Sequence, residues 1–134
     1  MLYLEDLQIG DEFKSRSYRM SKDEILKFAH AYDPQPFHVD AEQAEQHPIF
    51  RGLAASGWHT AAVTMRLWTE CFPVAHGLIG SESSLRWPRP TRPGDLIHVD
   101  VEITAISPSK TKLDRGLVSY VTQIGRASCR EKCR

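Results

Sequence analysis

The chain has 134 residues, of which 41% are hydrophobic and 25% are charged, and its 17 basic residues balance 17 acidic ones. Length and composition of this kind are typical of one globular domain, and an even charge balance gives no support for a nucleic-acid or membrane partner. No segment approaches the ~18 apolar residues of a membrane span. Glu5, Asp6 and Asp11 occupy the region where a signal peptide needs a basic start and an apolar run. We therefore expect a cytoplasmic protein.

The amino-terminal part is predicted to form one strand and one helix. An early Gly-Asp turn is followed by alternation of larger and polar groups, as in a half-exposed strand. Ser21 and Glu24 then form a capping box, and apolar residues recur after it at helical spacing. Because Pro34 disfavours the helical conformation in the residue before it, this helix must end by Tyr32 or Asp33.

The next segment, AYDPQPFHVD, places Asp33 and His38 five positions apart with Pro34 and Pro36 between them. We expect its backbone to be neither helix nor central strand, and the prolines restrict it so that both side chains can be directed at one point. An acid and an imidazole that share a water molecule can take a proton from it and return one. The alternative is structural, because an aspartate before a proline often starts a turn and a lone histidine is more often a hydrogen-bonding group.

The segment from Gly52 to Phe72 is predicted to contain a long helix, after a shorter helix that Asp40 caps and that runs to about His47. One apolar stripe of the long helix comprises Trp58, Ala61, Ala62, Met65, Trp68 and Phe72. Since further apolar residues lie outside this stripe, we expect other elements to surround the helix. The small residues before it let a ligand approach free amides that carry partial positive charge. The amide of Gly57 could stabilise the enolate oxygen of a thioester there, although tight helix packing also requires small residues.

The carboxyl-terminal half is predicted to consist of strands. Residues 77–87 are one candidate, and an Arg-Pro-Gly-Asp turn at 92–95 follows. Residues 96–106 alternate strictly, and their apolar face comprises Ile97, Val99, Val101, Ile103 and Ala105. Residues 116–124 are predicted to form a further strand. Strands with one apolar face and a long apolar helix predict an α+β fold, in which an antiparallel sheet curls around the helix.

The last residues differ in character from the rest of the chain. Residues 124–131 match the translation of a common sequencing-adapter sequence, so we expect one native domain over residues 1–123 and a non-native tail over residues 124–134. A disordered basic tail is the second interpretation. Metal binding by Cys129 and Cys133 is a distant third, because two thiols without further ligands make a poor zinc site. We therefore expect no metal.

Three motifs follow one another along the chain in a distinctive order. They are Asp33-Pro34-Gln35-Pro36-Phe37-His38, then Ser56-Gly57 at the start of the long helix, and then LRWPRPTRPGD at 85–95. This pattern resembles the MaoC-like dehydratases, a family that includes the (R)-specific enoyl-CoA hydratases of the hot-dog fold. The resemblance covers Met1 to about Gln123.

The resemblance implies a homodimer in which each sheet wraps one long helix and acyl-CoA binds at the subunit interface. Asp33 and His38 would be the catalytic pair, Gly57 the donor to the thioester carbonyl, and Gln35 and Ser56 part of the substrate-binding site. Water would add to a trans-2-enoyl thioester to give a (R)-3-hydroxyacyl thioester, or leave in reverse. No cofactor is implied beyond the coenzyme A of the substrate.

The chain also departs from the family pattern. The family usually has asparagine where this chain has Gln35. Glutamine can make similar hydrogen bonds from a longer side chain, so we expect the difference to affect the pocket geometry and the substrate more than the chemistry. The family also continues with a strand pair after the point where this sequence changes character, so we expect the sheet to lack its last strands. Arg86, Arg89 and Arg92 could contact the phosphates of coenzyme A, although a solvated loop is the commoner fate of such arginines. We expect His59 to serve in helix packing or pocket lining.

Two other functions remain open from the sequence. Another hot-dog enzyme is possible, either a carrier-protein dehydratase or a thioesterase. The former would need an acid on the long helix, where Glu70 lies about three turns from Gly57. A non-catalytic module that binds acyl thioesters could use the same fold, but it would have no need of a proton relay.

Overall fold

The computed structural model of the protein describes residues 1–112 and 115–127. This part of the chain contains, in order, β1 (Glu12–Lys14), β2 (Tyr18–Arg19), α1 (Lys22–Tyr32), α2 (Pro36–Val39), α3 (Ala41–Gln46), α4 (Gly57–Cys71), β3 (Leu96–Pro108) and β4 (Gly116–Ala127). A short 3-10 helix at Leu4–Asp6 precedes them. None of the helices in the described ranges is long and apolar enough to cross a membrane.

Strand β3 is the centre of an antiparallel sheet. It pairs with β4 along one edge and with β1 and β2 on the other. The predicted alternation is confirmed, because Ile97, Val99, Val101 and Ile103 are all buried. The register shifts between Ile103 and Ala105, so Ala105 is exposed instead of joining the apolar face as predicted. The sequence therefore predicted the buried face of β3 up to this irregularity.

The first helix begins at the predicted cap, although the Glu24 carboxylate accepts from the Tyr18 hydroxyl and does not complete the box, and the proline stretch differs from expectation. The hydroxyl of Ser21 accepts a hydrogen bond from the amide of Glu24 at 3.2 Å, and α1 ends at Tyr32. The expectation that the backbone of the proline stretch is not helical is wrong for residues 36–39, which form the single turn α2. Pro36 is the first residue of that turn, where a missing N–H breaks no helical hydrogen bond.

The short helix α3 begins at the predicted cap. The Asp40 carboxylate accepts hydrogen bonds from the amides of Glu42 and Gln43 at 3.0 and 3.2 Å. The helix ends at Gln46, next to the predicted end at His47. This capping fixes the direction in which the chain leaves α2.

Helix α4 packs against the inner face of the sheet. Its buried residues are His59, Thr60, Val63 and Leu67. The predicted stripe is only partly right, since Trp68 packs on the core but Trp58 and Met65 are 61% and 52% exposed. The sheet of the described residues covers one face of the helix, so the opposite apolar face of a single chain is left open.

The strand predicted at residues 77–87 is wrong. Residues 77–90 are exposed, and no backbone hydrogen bond joins residues 78–90 to the rest of the described chain. Both edges of β3 are already occupied by other strands. Without a neighbouring strand to pair with its amides and carbonyls, this segment forms no ladder.

The last strand passes the predicted domain boundary. Strand β4 extends to Ala127, with Ile124 opposite Val99, so residues 124–127 continue the pairing. The assignment of residues 124–134 to a non-native tail remains a prediction. Cys129 and Cys133 lie outside the described residues.

Candidate functional site

The candidate site lies where the end of α1, the turn α2 and the start of α4 meet. Asp33 directly follows α1, His38 lies in α2, and Ser56 directly precedes α4. The structure brings the predicted acid and histidine together, with 3.5 Å between His38 Nε2 and Asp33 Oδ2. That distance is too long for a good direct hydrogen bond. The two groups are close enough that one water molecule beside them can contact both.

The orientation of the His38 ring is fixed from its other side. His38 Nδ1 lies 2.7 Å from the carbonyl oxygen of Ala54, and the ring is buried. Because a carbonyl oxygen can only accept, Nδ1 donates the hydrogen bond and carries the proton. In the neutral ring, Nε2 is therefore an acceptor that faces Asp33. Two acceptors facing each other suit a water molecule that donates one hydrogen to each.

Asp33 receives two short hydrogen bonds of its own. Gln35 Nε2 donates to Oδ1 at 2.6 Å, and Ser56 Oγ donates to Oδ2 at 2.6 Å. Partial burial raises the pKa of Asp33, but these two donors and the nearby His38 together lower that pKa below its ordinary value. The carboxylate is thus held ionised and oriented. Gln35 and Ser56, which the sequence assigned to the substrate, contact Asp33.

The start of α4 has no side-chain cap because the hydroxyl of Ser56 is used elsewhere. Ser56 occupies the N-cap position and is fully buried, yet its side chain makes no capping hydrogen bond to the helix. Its hydroxyl instead donates to Asp33, as described above. Gly57 is the first helical residue, whose amide has no partner within a helix. The predicted carbonyl-binding amide thus lies one residue from a side chain that contacts Asp33.

Trp87 covers Gly57, a contact that the sequence did not predict. Its Nε1 donates to the Gly57 carbonyl at 2.9 Å, and a Cβ added to Gly57 would lie 2.7 Å from Trp87 Cε2. Trp87 also contacts Trp58 edge to face at 5.3 Å between ring centroids. Glycine at position 57 therefore lets the indole ring lie directly against the helix start.

The three arginines of the LRWPRPTRPGD motif have different environments. Arg86 and Arg89 are exposed, and no hydrogen bond among the described residues joins their side chains to Asp33 or His38. Arg92 is directed into the protein, where its guanidinium donates to backbone carbonyls of residues 50–53. The reading of Arg92 as a solvated or phosphate-binding side chain is therefore wrong. The sequence feature that could have indicated a structural role for Arg92 was Asp95, three residues later, whose carboxylate accepts a hydrogen bond from the Arg92 amide.

Two other titratable residues of α4 lie apart from the pair. His59 is buried and stacks on Phe28 at 4.8 Å, which agrees with the expected packing role. Glu70 binds Arg16 and Arg66 at 2.8 and 2.9 Å, and these arginines lower its pKa to about 2. An acid committed to two arginines is unsuited to the proton transfer that a carrier-protein dehydratase would need from the helix. No group of three metal-binding side chains occurs among residues 1–112 and 115–127.

Comparison with known proteins identifies the family. The sequence profile described as "MaoC like domain" matches residues 6–123. The chain belongs to the MaoC-like dehydratase family. Its sheet and central helix also match a crystal structure of the MaoC-like dehydratase from Rhodospirillum rubrum, with a TM-score of 0.90 and 50% identity over 94% of this chain and 86% of that one. The predicted hot-dog fold is thus confirmed.

Two further relatives extend the comparison. The (R)-hydratase from A. caviae involved in PHA biosynthesis has a TM-score of 0.72 and 26% identity, covering 90% of this MaoC-like chain and 86% of its own. The uncharacterized protein YdeM of Bacillus subtilis is 36% identical over 112 residues, which are 82% of this chain and 79% of YdeM. Both proteins are thus similar to this chain over most of its length.

Proposed function

We propose that the protein hydrates trans-2-enoyl thioesters to (R)-3-hydroxyacyl thioesters, and catalyses the reverse dehydration, with acyl-CoA as the substrate. The observation that carries the proposal is the pair of acceptors formed by Asp33 and His38, 3.5 Å apart, beside the free helix start at Gly57. The relation to an (R)-hydratase supports it.

The residues divide the chemistry between them. A water molecule held by Asp33 and His38 Nε2 loses a proton to the pair as its oxygen adds to C3 of the enoyl group. The C2–C3 π electrons move onto the thioester carbonyl, and the amide of Gly57 stabilises the enolate oxygen. A proton then passes from the pair to C2, which restores the carbonyl and the starting state of the site. Addition of water across the C2–C3 double bond causes no net oxidation or reduction, so the reaction needs no redox cofactor.

The proposal also includes a binding role for two exposed arginines and a homodimeric assembly. Arg86 and Arg89 are exposed on the segment that also carries Trp87, so their guanidinium groups are free to contact the phosphates of coenzyme A near the helix start. A homodimer in the cytoplasm would cover the exposed apolar face of α4, of which Trp58 and Met65 are part.

The decisive test is loss of the conjugated enoyl absorbance when purified protein meets short trans-2-enoyl-CoA. We expect turnover by the wild type and a loss of at least about a hundredfold in kcat for Asp33→Asn, which keeps the shape of the side chain but accepts no proton. Asp23→Asn is the matched control, because Asp23 is an exposed acid on α1. Absence of activity in the wild type would contradict the proposed reaction, and full activity in Asp33→Asn would contradict the assignment of the site.

A further inference from the structure

We infer that Arg92 is a positioning residue for His38: its guanidinium holds residues 50–53 in place, so that the next carbonyl, that of Ala54, fixes the His38 ring. The inference rests on the proposed hydratase function for its kinetic test. Its spectroscopic test does not depend on activity.

The guanidinium of Arg92 is occupied by backbone oxygens. Nη1 donates to the carbonyl of Gly52 at 2.7 Å and to that of Leu53 at 3.3 Å, and Nη2 donates to the carbonyl of Phe50. Three carbonyls of one four-residue segment thus converge on a single cation. A planar group with donors in a fixed fork suits this arrangement, because one rigid side chain can bind several oxygens at once.

The segment needs a cation because of its backbone conformation. Arg51 has a φ of 51°, in the left-handed region, and Gly52 has a φ of 157°. A non-glycine residue with positive φ is strained and persists only where its surroundings hold it. Carbonyl dipoles that point toward one place repel each other unless a donor lies between them. Removal of the guanidinium would leave these oxygens without that donor.

The residues that follow connect this segment to the site. The amide of Ala54 donates to the carbonyl of Phe37 at 3.1 Å, and the amide of Ala55 donates to that of Thr91 at 2.8 Å. The Ala54 carbonyl, between these two amides, accepts the hydrogen bond from His38 Nδ1 at 2.7 Å. A shift of residues 50–53 therefore moves the group that sets which nitrogen of His38 faces Asp33.

Arg92 is itself held from its backbone side. Its amide donates to Asp95 Oδ2 at 2.9 Å, and Asp95 is 7% exposed. The carbonyl of Asp95 in turn accepts from the amide of Met20 at 2.8 Å, which ties the turn to the residue after β2. The turn at 92–95 thus connects the sheet, through the arginine, to the segment that precedes α4.

Kinetic measurements distinguish a positioning role of Arg92 from a phosphate-binding role. Loss of an arginine that contacts coenzyme A would raise KM with little change in kcat. Loss of a positioning residue would lower kcat with little change in KM. We expect Arg92→Ala to lower kcat by at least about tenfold, because small displacements of reacting groups cost one to two orders of magnitude. KM should stay within about threefold of the wild-type value. Arg92→Lys, which keeps one cationic donor, should retain an intermediate kcat.

Chemical rescue and NMR separate positioning from mere stability. Guanidinium ion at tens of millimolar, far below denaturing concentrations, should restore kcat of Arg92→Ala but not of Asp33→Asn. Two-bond ¹⁵N–¹H spectra of the histidine ring should show a proton on His38 Nδ1 in the wild type. They should show loss of that single tautomer in Arg92→Ala and its return with guanidinium.

Arg16→Ala is the matched control, because Arg16 also uses its guanidinium within the fold, on Glu70 at 2.8 Å, but from an exposed position outside the turn at 92–95. It should keep the wild-type kcat and His38 spectrum. Wild-type kcat and an unchanged His38 spectrum in folded Arg92→Ala would overturn the inference. If Arg92→Ala does not fold, Arg92→Lys decides: a wild-type kcat and tautomer there would overturn it. An inactive wild-type protein whose His38 tautomer depends on Arg92 would contradict the proposed function alone.

Discussion

At the scale of single residues, the hydroxyl of Ser56 could cap helix α4 or contact Asp33, and it contacts Asp33. Ser56 is at the N-cap of α4, where serine ordinarily accepts a hydrogen bond from a helix amide. Here it donates to Asp33 at 2.6 Å. One side chain thereby stabilises the ionised acid and leaves the first turn of α4 without a side-chain cap.

Ser56→Ala should therefore impair both folding and catalysis. The variant removes a hydrogen bond to a charged acceptor, which contributes about 1.5–3 kcal/mol. Because Ser56 lowers the pKa of Asp33, its loss should raise that pKa and reduce kcat by about tenfold or more. The pKa can be measured from the ¹³C shift of the Asp33 carboxyl during titration. An unchanged carboxyl titration in the variant would show that Ser56 does not tune the acid.

His59 should make stability depend on pH. Burial lowers the pKa of His59 below its ordinary 6.5, although the charge of Glu24 opposes this effect. A group whose folded pKa is below its unfolded value stabilises the fold fully above the unfolded value and loses that contribution as pH falls. We therefore expect the free energy of unfolding to decrease below about pH 6.5, and to decrease less in His59→Phe, which keeps the stacking on Phe28.

Urea denaturation at a series of pH values would measure this effect. His30→Gln is the control, since it removes an exposed histidine from α1 and should keep the wild-type dependence. Identical pH dependence in the wild type and in His59→Phe would show that another group is responsible.

At the scale of elements, the sequence was most informative where local chemistry decides the structure. The capping residues Ser21 and Asp40 and the alternation of β3 each specify an element by themselves, and all three are confirmed. Residues 77–87 were also a candidate strand, but a strand needs a partner, and no local pattern reports whether one is present. Pairing between distant segments is therefore what the sequence could not provide.

The candidate site was predictable to the same degree. Asp33 and His38 could be found because they lie five residues apart on one constrained segment. The bonds from Ser56 and Arg92 to this region span 23 and 39 to 42 positions, so they follow from the tertiary fold. Arg92 was misread because an arginine in a proline-rich loop looks the same in sequence whether it faces solvent or backbone carbonyls.

The start of α4 provides an element-scale prediction. Gly57→Ala should displace Trp87 and break its hydrogen bond to the Gly57 carbonyl, at a cost of about 1 kcal/mol in the free energy of unfolding. In a Trp87→Ala background the same substitution should cost nothing, because alanine is the better helix residue. A double-mutant cycle by urea denaturation measures this coupling. Equal costs in both backgrounds would mean that the indole is not what requires glycine there.

At the scale of the whole molecule, the sheet covers only one side of its central helix. The described chain leaves Trp58, Met65 and Trp87 at 61%, 52% and 46% exposure. Monomeric proteins rarely expose large contiguous apolar patches, and a second copy of the chain related by two-fold symmetry would cover the same surface on both subunits. The proposed homodimer thus accounts for an apolar face that one sheet leaves open.

The oligomeric state tests this argument directly. Sedimentation equilibrium should give twice the mass of the 15.2 kDa chain for the wild type. Met65→Lys should give the mass of one chain, because burying an unpaired ammonium group at the interface costs more than the lost apolar contact contributes. Ile9→Lys is the matched control and should stay dimeric, because Ile9 is 67% exposed in the turn that precedes β1. A wild type that sediments as a single chain would mean that the open face of α4 is not a contact between copies, and a Met65→Lys dimer would place that contact elsewhere on the subunit.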